Sequence, residues 1–176
     1  MVTTVVRTER FFLVGFMGTG KTTLGRRVAE RMELPFFDLD GIIEKATGRS
    51  VSRIFAEQGE AAFRRLESES LHALVAGKER GVVATGGGAF TLPDNRRLMM
   101  SRGVVIWLDV PAEEIVRRIG PKDRPLWTNP DEALRLYELR RPVYAEAHHR
   151  LALENRTPEE SALELYRILS QYRSVP

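Results

Sequence analysis

The chain contains no cysteine. That excludes a disulfide framework, a thiolate zinc site and a cysteine nucleophile. No apolar run approaches the roughly 20 residues that cross a bilayer. Residues 1–10 also lack the apolar stretch of a secretory leader. Lysine is scarce, supplying 4 of the 27 basic residues, with arginine supplying the rest. Against 24 acidic residues the net charge is +3, with no lysine-rich block to suit a polyanion. The three histidines, His72, His148 and His149, show no metal-like spacing with other ligands. These absences lead to the expectation of a cytoplasmic protein with no membrane or nucleic-acid partner, and a monomer is expected alongside.

What is present fits one domain. The 176 residues are 43% hydrophobic and 29% charged, enough to bury an ordinary globular core over residues 1–176. Residues 1–10 are expected to form a flexible terminus. Arginine offers a planar fork of donors suited to carboxylates and phosphates, although the excess as a whole reads first as compositional bias.

Short apolar runs alternate with amphipathic stretches. Strands are expected at 11–15, 35–39, 81–84, 104–108 and 151–153, and helices at 21–32, 42–46, 51–55, 61–75, 93–101, 111–119, 132–147 and 158–172. The strands are continuous apolar runs, as in a parallel sheet covered on both faces. In such a sheet ligands bind beyond the carboxyl ends of the strands. The stretch 120–130, GPKDRPLWTNP, breaks the helical pattern with proline and glycine and is the expected lid.

The strongest motif is GFMGTGKT, residues 15–22, which satisfies G-x-x-x-x-G-K-[ST] between a strand and a helix. Backbone N–H groups around Gly18, Thr19 and Gly20, and the helix start at Thr22 and Thr23, would face phosphate oxygens. Lys21 would bridge the β- and γ-phosphates, and the Thr22 hydroxyl would ligate Mg²⁺. The chain is therefore expected to bind ATP.

Two acidic candidates compete for a second metal ligand. Asp109 ends the apolar run VVIWLD, but a proline and a helix follow, so it reads as a helix cap. Asp38 and Asp40 end FFDLD; in an extended chain their side chains would point the same way, and this pair is preferred. Gly86, Gly87 and Gly88 follow a strand and would let a ligand approach the backbone. Arg64 could equally form a helix-surface ion pair with Glu67, three residues on.

These motifs together resemble the shikimate kinase family over residues 12–168. The resemblance rests on GFMGTGKTT, FFDLDGIIE, the stretch TGRSVSRIFAEQGEAAFRRLE at 47–67, ATGGG, DRPL and RRPVY, in that order. A Walker A motif alone is shared by gluconate and nucleoside monophosphate kinases, and by nucleotide-binding modules without catalysis; the series separates them. The resemblance implies an α/β fold of three layers with a five-stranded parallel sheet in the order 2-3-1-4-5, as in nucleoside monophosphate kinases. It implies ATP- and Mg²⁺-dependent phosphorylation of shikimate at its 3-hydroxyl, with a substrate-binding region near residues 40–68. By the same resemblance Asp40 would bind the ring hydroxyls and orient the attacking one, and Asp38 would hold hydrated Mg²⁺ with Thr22. Arg64 and Arg140 would grip the carboxylate, and Gly86, Gly87 and Gly88 would donate to substrate. Arg124 would close over the phosphates, and Arg156 would pack against adenine. The pairs Arg64-Arg65 and Arg140-Arg141 leave the register open by one residue.

Overall fold

The apolar runs form five strands, and their depth follows from the residues they carry. In β1 (Arg10–Val14) the four residues after Arg10 are fully buried, and all six residues of β4 (Val104–Asp109) are buried. Both strands lie inside the sheet, where each face must be apolar. β2 (Phe36–Asp38) and β5 (His149–Ala152) form the edges and are more open. With β3 (Gly81–Ala84), all pairings are parallel and the order is β2-β3-β1-β4-β5, as the resemblance implies. Phe12 lies opposite Val83 on one side and Val105 on the other. The structure, a computed structural model, describes residues 10–77, 79–118 and 130–172. The expected terminus as far as residue 9, and the expected lid from 120 to 129 with Arg124, lie outside them.

The helices are α1 (Lys21–Arg31), α2 (Leu39–Thr47), α3 (Val51–Ala76), α4 (Pro93–Arg102), α5 (Ala112–Arg118), α6 (Pro130–Tyr144) and α7 (Pro158–Ser170). They cover both faces of the sheet: α1 packs against α7, α3 against α2 and α4, and α6 against a single 3-10 turn at Ala89–Thr91. α7 begins with a capping box, in which Thr157 and Glu160 exchange side-chain and backbone hydrogen bonds. No helix of the described residues is long and apolar enough to cross a membrane.

Three local expectations need correction. Residues 35–39 are not one strand: β2 stops at Asp38, and Leu39 and Asp40 already belong to α2. Leu39 is fully buried, so driving its side chain into the core turns the chain there. The expected helices at 51–55 and 61–75 are continuous except at Gly59, whose φ of 78° and ψ of 173° break the helix. Asp109 does not stand at the N-cap position of α5, which begins three residues later at Ala112. Its carboxylate accepts from the Tyr137 hydroxyl at 3.1 Å and from Arg150 at 2.6 and 2.7 Å, joining β4 to α6 and β5.

Candidate functional site

Parallel strands bring their carboxyl ends to one edge, and the strand order decides which loops meet there. β3 lies between β2 and β1. The glycine loop after β3 therefore lies between the acidic residues that follow β2 and the phosphate loop that follows β1. Thr85 ties that glycine loop to β1, donating from its N–H and its hydroxyl to the Leu13 carbonyl at 3.2 and 3.0 Å.

The phosphate loop is built by glycines in conformations that other residues resist. Gly15, Gly18 and Gly20 all have positive φ, and a side chain on Gly15 would meet the Leu108 carbonyl at 2.7 Å. The Thr19 hydroxyl donates to the Phe16 carbonyl at 2.9 Å, and Lys21 Nζ donates to the Gly15 and Phe16 carbonyls at 2.8 and 2.7 Å. The ammonium is thus held over the loop it serves. At the start of α1 the Thr22 hydroxyl donates to Asp38 Oδ2 at 2.9 Å. Asp38 occupies the N-cap position of α2 but makes no capping bond with its side chain, whose carboxylate faces Thr22 instead.

A cleft of about 550 Å³ opens there, lined by Gly18, Gly20, Lys21, Thr22, Thr23, Asp38 and Asp40 among others. A smaller pocket of about 70 Å³ adjoins it, lined by Arg64, Arg140, Gly88 and the apolar side chains of Met17, Val51, Phe55 and Phe63. Asp40, Gly86 and Gly87 line both. Asp40 reaches this seam from the first turn of α2 rather than from an extended segment, so the expected neighbourhood holds by a different route.

The glycines at the seam serve close approach, since none of the three has positive φ. A methyl on Gly86 would lie 2.1 Å from Glu67 Oε1, and one on Gly87 would lie 3.3 Å from the Met17 nitrogen. On Gly88 it would lie 2.4 Å from Arg64 Cζ. Arg64 pairs with Glu67 at 2.7 Å and Glu60 at 3.1 Å, yet it also faces the pocket, so the ion-pair and binding readings coexist. Burial works to lower the Arg64 pKa, but the two carboxylates outweigh it and leave the guanidinium firmly charged. Burial pushes the fully enclosed Glu67 upward, partly offset by Arg64.

Arg140 lies over the Phe16 ring, 5.9 Å from its centroid, and donates to the Gly87 carbonyl at 3.4 Å. Its neighbour Arg141 lines a separate groove beside Asp109, Tyr137 and Arg150. The structure thus places Arg64 and Arg140, rather than Arg65 and Arg141, at this pocket. Arg156 lies in the β5–α7 loop, 4.0 Å from Glu164, and lines neither pocket of the seam. Glu67 and Tyr144 were not among the expected site residues. Glu67 was legible only as an ion-pair partner, and Val51, Phe55 and Phe63 resembled ordinary core positions.

The sequence model of the shikimate kinase family matches residues 17–170. The chain belongs to the shikimate kinase family. It is 45% identical to the shikimate kinase of Synechococcus elongatus, over 93% of this chain and 86% of that one. It is 42% identical to that of Symbiobacterium thermophilum, over 90% of this chain and 95% of the relative. Among solved structures, the shikimate kinase of Acinetobacter baumannii in complex with shikimate superposes with a TM-score of 0.87. It is 36% identical and the match covers 94% of this chain and 95% of that one. The Aquifex aeolicus shikimate kinase gives a TM-score of 0.80 at 36% identity, over 92% and 96% of the two chains. As a shikimate kinase family member the chain is a kinase that uses ATP as co-substrate.

Proposed function

We propose that the chain transfers the γ-phosphoryl group of ATP to the 3-hydroxyl of shikimate, giving shikimate 3-phosphate and ADP on the route to the aromatic amino acids. The observation that carries this reading is the seam: Asp40, Gly86 and Gly87 border both the phosphate cleft and the arginine-lined pocket. A hydroxyl held there lies beside the end of a bound triphosphate, and proximity of this kind supplies much of a phosphoryl transfer.

In this reading Arg64 and Arg140 grip the shikimate carboxylate through planar forks, with Gly86, Gly87 and Gly88 against the substrate. Asp40 orients the attacking hydroxyl and receives its proton as the new O–P bond forms and the β,γ-bridging bond breaks to release ADP. Lys21 stabilises the charge on the transferring group, joined by Arg124 from the 120–130 segment. Gly18, Thr19, Gly20, Thr22 and Thr23 hold the phosphates, and Arg156 meets the adenine. The Thr22 hydroxyl and Asp38 carboxylate, 2.9 Å apart, are the hard oxygen donors that suit Mg²⁺, which needs few protein ligands beside phosphates and water. Bound there, Mg²⁺ would neutralise phosphate charge. The reading also takes the chain as one kinase domain acting as a cytoplasmic monomer without nucleic-acid or membrane partners.

The test is a substrate panel. Purified protein with ATP and Mg²⁺ is offered shikimate, gluconate and nucleoside monophosphates, and ADP release is measured. Shikimate-dependent ADP release is expected; release with gluconate or a nucleotide, and none with shikimate, overturns the reading.

A further inference from the structure

Tyr144 ends α6 beneath the seam, fully buried. Its hydroxyl donates to the Gly87 carbonyl, the same oxygen that Arg140 reaches at 3.4 Å. Its ring stacks on Trp107 of β4, with centroids 6.2 Å apart and an interplanar angle of 29°. The tyrosine therefore connects the core of the sheet to one peptide of the glycine loop. Pro142, in the last turn of α6, stands between the two residues that meet that carbonyl.

We infer that Tyr144 is a positioning residue for the acceptor-substrate pocket, acting through the Gly87–Gly88 peptide. A trans peptide is planar, so holding the Gly87 carbonyl also sets the direction of the Gly88 N–H. A glycine-only loop has little stiffness of its own, because it lacks the side-chain restraints that narrow φ and ψ. The Tyr144 hydroxyl supplies the restraint from outside. It also sets the register of Arg140 against the loop, since both donors converge on one oxygen four residues apart along α6. Gly87 packs closely against the loop after β1, its Cβ position lying 3.3 Å from the Met17 nitrogen, so the peptide has little room on that side. Burial pushes the phenol up to about 12, against the smaller opposing effect of Arg140, so it stays a donor across the working pH range.

This inference rests on the reading of the pocket as the shikimate site. Tyr144→Phe keeps the ring and its stacking on Trp107 and removes only the donor. The expected result is a rise of roughly 5- to 10-fold in the shikimate KM, the scale of one buried hydrogen bond. The shikimate Kd measured without nucleotide should rise by a similar factor, while the ATP KM stays within about twofold and the Tm within a few degrees. Trp107→Phe serves as the comparison: it disturbs the stacking but leaves the hydroxyl, so it should lower the Tm without the selective change in KM. An unchanged shikimate KM and Kd in Tyr144→Phe overturns the inference. So does an equal rise in both substrates' KM values, or the same KM pattern in Trp107→Phe. A parent enzyme that does not turn over shikimate overturns the site reading instead.

Discussion

At Gly88 the constraint is a guanidinium rather than a torsion angle. An added methyl would lie 2.4 to 2.5 Å from three atoms of Arg64. Arg64 cannot yield freely, because Glu67 holds it from a fully buried position at 2.7 Å. Gly88→Ala should therefore push Arg64 out of the pocket and raise the shikimate KM about 10-fold or more, for a loss of roughly 1.4 kcal/mol, with the ATP KM little changed. Steady-state kinetics with each substrate varied in turn checks this. Arg140 and Arg141 offer a paired test of register. Arg140→Lys exchanges a two-pronged contact for a point charge and should raise the shikimate KM roughly 10-fold. Arg141→Lys, beside a different groove, should leave it within about twofold. The reverse pattern would move the carboxylate contact to Arg141.

At the scale of elements, the sequence revealed the phosphate loop and most helices because each is a local pattern: glycines and Lys21 at fixed spacing, or apolar residues at helical spacing. Residues 35–39 show where that reading stops. As an apolar run they are indistinguishable from a strand, whereas α2 begins at Leu39, three residues before the expected helix, with that side chain fully buried in the core. Asp109 is similar. Its partners Tyr137 and Arg150 are 28 and 41 residues away in sequence, so local spacing offered a metal ligand or a cap but not this pairing. Gly59 makes a prediction at this scale. Its φ of 78° with ψ of 173° belongs to a region nearly restricted to glycine, while nothing lies within 4 Å of an added Cβ. Gly59→Ala should cost about 1–3 kcal/mol through backbone strain alone, read by urea unfolding. No loss would mean that the two halves of α3 can realign without penalty.

Across the whole molecule, the sheet order and the packing at its edge set the pH response. The Val105 N–H donates to His148 Nδ1 at 3.0 Å, and His149 Nε2 meets the Tyr172 hydroxyl. Burial, then repulsion from His149, holds His148 below its ordinary value of 6.5; burial does the same for His149. Folding thus favours neutral imidazoles. Between the depressed folded values and 6.5 the unfolded chain binds more protons, so stability should fall as pH drops through that window. Glu67, raised by burial, acts in the opposite sense, its contribution being lost as pH rises above 4.5. Chemical denaturation at about pH 7.5 and 5.5 should show lower stability at the acid end. His148→Asn should reduce that difference, and an unchanged difference would place the sensitivity elsewhere.

The sequence by itself determined the alternating strands and helices and the phosphate loop. Those features are contiguous, and short-range sterics and periodicity are enough to express them. Only the tertiary structure decided which arginine of each pair faces the pocket, that Asp40 arrives from a helix, and that Tyr144 holds Gly87. Each of these depends on two segments far apart in the chain meeting at one edge of the sheet, and that meeting follows from strand order. The scarcity of lysine acquires a sharper meaning as well. Most arginines remain ordinary, whereas Arg64 and Arg140 converge on one pocket and Lys21 lines the adjoining cleft, where the proposed reading calls for planar donors and a point charge respectively.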